Sequence, residues 1–293
     1  MLPLIVGLGC LLLIVMYGSK ISSSSKIDPE IIRLYVGDSH IQKAIDDSII
    51  PQSLNLASSS ESFYFTYYKL VKILENNSSI REVYLGLSYH NLSSYYNDYI
   101  DGEFSQIISP NYYCFLPREE RIKVIGWNQS KLIPFTKGLF RYGFKFLDFE
   151  DNNPLLSSYV NEFTNSEAVI SSMDKRLKLQ FDTNLVSDKF SQINISYLDK
   201  INDLCKLNDV ELFTISTPLH AYYESNIPDV YKISLNEIID SMQLENIDLS
   251  GSLSDNNCFI PDGDHVSAKG AKMISLELSR SLLNNDGTHG EMR

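Results

Sequence analysis

The stretch IIRLYVGDSHIQKAIDDSII, residues 31–50, decides the fold. Its first six residues, Ile31–Val36, have the composition of a short buried strand. Gly37-Asp38-Ser39-His40 closes the strand, and apolar residues then recur at helical spacing from Ile41 to Ile49, stopping at Pro51. A strand running through a tight turn into a helix is the opening unit of a parallel α/β sheet. The next segments repeat it. Ser53–Ala57 (SLNLA) reads as a second strand, Ser58–Ser60 as a polar turn with N-cap character, and Phe63–Leu74 as an amphipathic helix. Glu82–Leu87 (EVYLGL) is a third strand.

Beyond Ser88 the pattern dissolves. Up to about residue 183 the chain is rich in Tyr, Asn, Ser and Phe, and residues 92–183 are expected to form an insertion or cap over the sheet's active edge, with some helix. Regular structure resumes with a helix over 187–207 and a strand at Glu211–Ser216 (ELFTIS), which ends in Thr217-Pro218-Leu219-His220. A further strand is expected near Ile247–Leu249, then Asp262-Gly-Asp-His265 and a last helix from Ala268 to Leu283. The α/β domain thus spans 30–285, followed by a short polar tail with a frayed end, 286–293.

The 293 residues carry 37 acidic against 25 basic side chains, a net charge of −12. Nucleic-acid recognition runs on clustered Lys and Arg, so a nucleic-acid partner is excluded. A hydrophobic fraction of 43%, with 11% aromatics, excludes a disordered chain. The first 18 residues, MLPLIVGLGCLLLIVMYG, are apolar throughout and read as a transmembrane anchor or a secretory signal segment, with residues 19–29 as a polar linker. No small-x-small cleavage site follows Tyr17, which favours the anchor and a membrane association through it. Lys20 and Lys26 vote for a cytoplasmic body, against the chemistry below. Cys114, Cys205 and Cys258 stand singly, without a CxxC pair or a His–Cys cluster, so they read as inert thiols and neither metal nor cofactor is expected.

The chemistry sits at the two ends of the domain, GDSH at 37–40 and DGDH at 262–265. A serine hydroxyl is a poor nucleophile until a base takes its proton and a third group orients that base. Ser39 lies where the first strand enters its helix, at the carboxyl edge of the sheet where open α/β folds place ligands. His265 precedes the last helix, with Asp262 three residues back, close enough to reach the far ring nitrogen.

On LYVGDSH (Leu34–His40) and FIPDGDHVSAKGAKMIS (Phe259–Ser275) the chain resembles the SGNH/GDSL-type hydrolases. The resemblance implies a flavodoxin-like three-layer fold, with Ser39 as nucleophile, His265 as base and Asp262 as its orienter. It also implies an oxyanion hole from the Ser39 N–H, a glycine N–H of a second block and an asparagine side chain of a third, such donors being worth ~3 kcal/mol each. The middle blocks depart from the family. Ser60 stands near the glycine's place, and Leu87-Ser-Tyr-His-Asn91-Leu-Ser replaces a GxND-like block, making Asn91 the expected donor and His90 its competitor. Anchored relatives imply an extracytoplasmic domain that hydrolyses or transfers acyl groups, acetyl above all, on a cell-envelope or exopolysaccharide glycan. Acylated carbohydrate, or another ester, is the implied substrate.

Several alternatives stay open. Asp264 competes with Asp262 as orienter, and Asp38 reads as a structural support of the turn. His40 lines the cleft or caps the helix; His220 touches substrate or is a satisfied loop residue. Asp38-Ser39-His40 also allows a DxH parse, in which a later serine acts. Tyr95, Tyr96, Tyr99, Tyr112 and Tyr113 stack on sugars or pack the cap. A catalytically idle glycan- or envelope-partner-binding module is the competing function.

Overall fold

The computed structural model describes residues 25–147, 158–164, 166–181 and 189–289. Its sheet has five strands, β1 (Arg33–Val36), β2 (Ser53–Asn55), β3 (Glu82–Gly86), β4 (Glu211–Ser216) and β5 (Glu245–Asp248), in the order β2-β1-β3-β4-β5. All neighbouring pairs are parallel. This is the flavodoxin-like order, with its topological switch at β1 and β3.

Alternation along β1 sets the layers. Leu34 and Val36 face one core; Tyr35 faces the other. On the first side lie helices α2 (Phe63–Asn76), α9 (Gln192–Leu207) and α11 (Asp229–Met242), through Phe65, Leu70, Leu198, Ile201 and Tyr231. On the second lie α1 (Ser39–Ala44) and α12 (Ala268–His289), through Ile41, Ala44, Ala271 and Ile274. Tyr35, Tyr84 and Phe213 are in register on that face and stack across three strands at 4.8 and 5.0 Å. Burial on both faces explains why the central strands β1 and β3 read as nearly continuous apolar runs.

The β3–β4 connection holds the insertion, and it is more helical than expected. It contains α3 (Tyr89–Leu92), α4 (Asn97–Ile100), α5 (Ser105–Tyr112), α6 (Arg118–Trp127), α7 (Leu132–Leu147) and α8 (Ile170–Phe181). Between β4 and β5 stand α10 (Ala221–Ser225) and α11, neither of which the sequence pattern announced. Only Tyr231 and Leu235 of α11 are buried while Val230 and Ile233 are exposed, so no clean apolar stripe marks it.

Other boundaries shift for local reasons. The expected helix over 41–49 runs instead from Ser39 to Ala44, because Asp46, Asp47 and Ser48 prefer turns and the Asn55 amide takes the Ile41 and Ile45 carbonyls. The last helix runs beyond Leu283 to His289. The helix expected from 187 begins at Gln192. Part of the expected linker is docked: Asn77, which ends α2, bonds Ile27 N–H at 2.7 Å and the Ser25 carbonyl at 2.6 Å. No helix among the described residues is long and apolar enough to cross a membrane, and the apolar segment 1–18 lies outside them.

Candidate active site

Gly37 leaves β1 with φ +130°, a conformation that a side chain resists, and a Cβ there would press to 3.2 Å from the Gly86 nitrogen at the end of β3. The sharp exit puts Asp38 at the N-cap of α1 and Ser39 at its first position, half-buried at the carboxyl edge. Asp38 is thus the cap of α1. Its Oδ1 accepts the His40 backbone N–H at 2.9 Å.

The Ser39 hydroxyl donates to His265 Nε2 at 2.7 Å, and His265 Nδ1 donates to Asp262 Oδ2 at 2.8 Å. Asp264 lies 3.9 Å from the same Nδ1. Asp262 Oδ1 also accepts the backbone N–H groups of Asp264 and His265, which fixes the loop that carries the imidazole. Gly263 makes that loop possible, with φ +63° and a Cβ position 2.4 Å from Met173 sulfur. Residues 226 apart in sequence thereby meet in one chain of hydrogen bonds.

The groups lie against a cavity of about 190 Å³, lined by residues that include Ser39, Ser60, His90, Tyr95, Tyr99 and His265. Ser60 holds φ +63° at the third position of a turn closed by Glu61 N–H to Ser58 O. The backbone therefore keeps the left-handed geometry of the missing glycine. Ser58 N–H binds the Gly37 carbonyl, tying this turn to the Ser39 turn. Ser39 and Ser60 N–H have no partner among the described residues and both residues line the cavity. Ser60→Gly is expected to relieve the strain and raise stability by about 0.5–1 kcal/mol, read by urea denaturation.

Asn91 is elsewhere. Its amide donates to Asp38 Oδ2 at 3.0 Å, its carbonyl oxygen accepts Ser88 N–H at 2.8 Å, and it does not line the cavity. It is a brace for Asp38 rather than a donor to the cleft, because the capping box that starts α3 turns its side chain inward. His90 does line the cavity, but its Nε2 donates to Asp38 Oδ2 at 2.7 Å, which leaves Nδ1 an acceptor. The side-chain donor that the resemblance implies is therefore not formed by either residue.

His40 also departs from expectation. It is 3% exposed and lies behind the wall, with Nδ1 at 3.1 Å from the Thr217 hydroxyl and Nε2 at 3.1 Å from Asp264 Oδ1, off the line of a hydrogen bond. Asp38 does not touch the His40 ring, so the DxH arrangement is not assembled. His220 caps α10, accepts Tyr222 N–H, meets Asn256 through Nε2 at 2.6 Å, and stays off the cavity wall. Tyr95, Tyr96 and Tyr99 line the cavity, whereas Tyr112 stacks on Phe65 and Tyr113 packs against Phe135.

Behind the cavity stands a buried polar layer that sequence spacing does not reveal. His40 stacks on His90 at 4.1 Å and meets His265 at 4.7 Å, between centroids. Arg176 of α8 donates to Asp264 Oδ2 at 2.6 Å, and Gln180 donates to it at 3.0 Å. Burial alone would raise the Asp38 carboxyl, but His90, His40 and the Tyr96 hydroxyl hold it well below its ordinary range. Burial opposes ionisation of Asp264 too, and His40 with Arg176 overrides it. Burial would lower His40, and Asp264 with Asp38 raises it instead; His90 is lowered by burial and by His40 beside it. The two carboxylates thus face the Arg176 guanidinium and two imidazoles within one buried layer. His40, His90 and Asp264 each bring one donor atom within 4.8 Å of the others. Two of the three are already engaged with the protein, Asp264 with Arg176 and His90 with Asp38.

Cys114, Cys205 and Cys258 are free, and burial pushes the Cys114 and Cys205 thiols up to about 12, as inert groups require.

No protein-family model matches the chain, and no curated protein is significantly similar to it. Among solved structures, one put forward as a platelet activating factor from Streptococcus pneumonia aligns with a TM-score of 0.45 and 12% identity, over 96% of this chain and 98% of its own. One put forward as an acylhydrolase from Bacteroides fragilis aligns with a TM-score of 0.38 and 9% identity, over 87% of this chain and 86% of its own.

Proposed function

We propose that the protein cleaves or transfers an acyl ester through a covalent intermediate on Ser39. The observation that carries the proposal is the chain Ser39 Oγ–His265 Nε2–His265 Nδ1–Asp262 at 2.7 and 2.8 Å, opening on a cavity. Asp262 holds the proton on Nδ1, so Nε2 is free to accept the hydroxyl proton. Ser39 Oγ attacks the ester carbonyl as that proton passes to Nε2, and the oxyanion forms between the N–H groups of Ser39 and Ser60. Collapse returns the proton to the leaving alcohol and leaves an acyl-serine. Water completes hydrolysis; a sugar hydroxyl completes transfer. His265 takes the acceptor's proton in either case.

An acetylated glycan of the cell envelope is the substrate class we favour. The tyrosines of the cavity wall offer faces for a sugar ring, and the apolar first segment would hold the domain at a membrane. The absence of Asn91 from the cavity favours a second reading, a binding module without turnover. Turnover of 4-nitrophenyl acetate separates the two. Ser39→Ala is expected to lower kcat by 10³-fold or more, on the order seen when a triad nucleophile is removed. An added sugar acceptor that diverts acetyl from water would mark a transferase. A wild-type protein as slow as Ser39→Ala would favour the binding module.

A further inference from the structure

We propose that the cavity beside Ser39 takes an ester bearing an oxyanion, a carboxylate or a phosphate, and that the Lys43 ammonium binds it. The choice of bond cleaved rests on the Ser39 reading; the binding of the anion stands on Lys43 alone.

Lys43 follows Ser39 by four residues on α1, one turn on and on the same face, and it lines the same cavity. No carboxylate lies within ion-pair distance of its ammonium among the described residues; it rests 5.3 Å above the Phe163 ring, at the half-exposed margin of the cleft. Arg176, the other basic residue of the wall, is already neutralised by Asp264 at 2.6 Å. Among the described residues of the wall, the Lys43 charge is therefore the one left for a ligand.

Among the described residues the wall carries no Asp or Glu, in a chain where acids outnumber bases by 37 to 25. The nearby acids are turned away from it. Asp38 spends its oxygens on His90, Asn91, Tyr96 and the His40 N–H, Asp262 spends its own on the His265 ring and two backbone N–H groups, and Asp264 turns Oδ2 to Arg176 and Gln180 and Oδ1 toward the buried His40 ring. Lys43 thus sets a positive charge without a carboxylate partner on the wall of the cleft that holds the nucleophile. The Ser60 hydroxyl, without a partner among the described residues and on the same wall, is a further donor for an anion. A neutral acetyl ester would use neither group.

Binding and turnover test the two halves separately. Ser39→Ala protein, with and without Lys43→Gln, is titrated calorimetrically with 4-acetoxybenzoate, 4-acetoxyphenyl phosphate and the neutral methyl 4-acetoxybenzoate. At least one anion is expected to bind about tenfold tighter than the methyl ester, as a charge-assisted hydrogen bond allows. Lys43→Gln should abolish that preference and Lys43→Arg should keep it. The anion that loses more identifies the carboxylate or the phosphate as the natural group. In turnover with Ser39 intact, the ratio of kcat/KM for the anion over the methyl ester should fall toward one in Lys43→Gln. Equal binding of all three compounds, or an anion preference that survives Lys43→Gln, overturns the proposal. Hydrolysis by Ser39→Ala at the wild-type rate would instead overturn the nucleophile and leave the binding result intact.

Discussion

Asp262→Asn is expected to lower kcat about ten-thousand-fold while leaving the fold in place, the loss that follows when a triad histidine is held in the wrong tautomer. The asparagine oxygen can keep the Asp264 and His265 backbone N–H groups, which Asp262 Oδ1 accepts now at 3.1 Å each. Its amide nitrogen must then face His265 Nδ1, where the carboxylate oxygen sits at 2.8 Å. Two donors cannot share that contact, so the ring proton moves to Nε2 and the Ser39 hydroxyl loses its acceptor. Asp264→Asn should behave differently. Its carboxylate holds Arg176 and His40 in a buried layer, so its loss should appear in the denaturation midpoint before it appears in kcat. Comparing kcat and midpoint for both variants tests the assignment; equal kcat losses at equal stability would contradict it.

Lys69→Met is expected to cost about 3–5 kcal/mol of stability, the range for breaking a buried ion pair by removing one partner. Lys69 and Glu61 are 2% and 1% exposed, and Nζ lies 2.5 Å from Glu61 Oε2 and 2.6 Å from the Leu56 carbonyl. Thr66 and Tyr112 hydroxyls donate to the same carboxylate, at 2.7 and 2.8 Å. One carboxylate therefore joins the loop after β2, helix α2 and the insertion. Burial holds the Glu61 carboxyl above its usual range and the Lys69 amine below its own, each opposed by the partner's charge. Without Lys69, Glu61 must bury its charge unpaired or take up a proton. Lys69→Met/Glu61→Gln should recover much of the loss, and a double-mutant cycle in urea measures the coupling. The exposed Lys72–Glu75 pair is the control, and Lys72→Met should leave the midpoint where it is. Because the Glu61 turn carries Ser60, Lys69→Met should also reduce activity in the folded fraction.

What could be read from the linear chain follows from what local pattern encodes. IIRLYV and EVYLGL announce buried strands because parallel strands covered on both faces need little alternation. GDSH and DGDH announce their turns because Gly37 and Gly263 take positive φ and Asp38 and Asp262 accept nearby N–H groups. The polar run Ser58–Ser60 announced a turn but not its left-handed residue, since a serine at positive φ leaves no glycine to notice. Asn91 misled because a side chain at the right spacing can still turn inward, here to Asp38. The layer of His40, His90, Asp264, Arg176 and Gln180 was illegible for a plainer reason. Arg176 and Asp264 are 88 residues apart, and only the packing of α8 against the DGDH loop brings them together.

The central claim is that Ser39 Oγ is the atom that becomes acylated. Exposure to a fluorophosphonate probe, followed by proteolysis and mass spectrometry, tests it most directly. The predicted result is one phosphonyl adduct on the peptide that contains Ser39, lost in Ser39→Ala and greatly slowed in His265→Ala. An adduct on another serine, or equal labelling of wild type and Ser39→Ala, would contradict it.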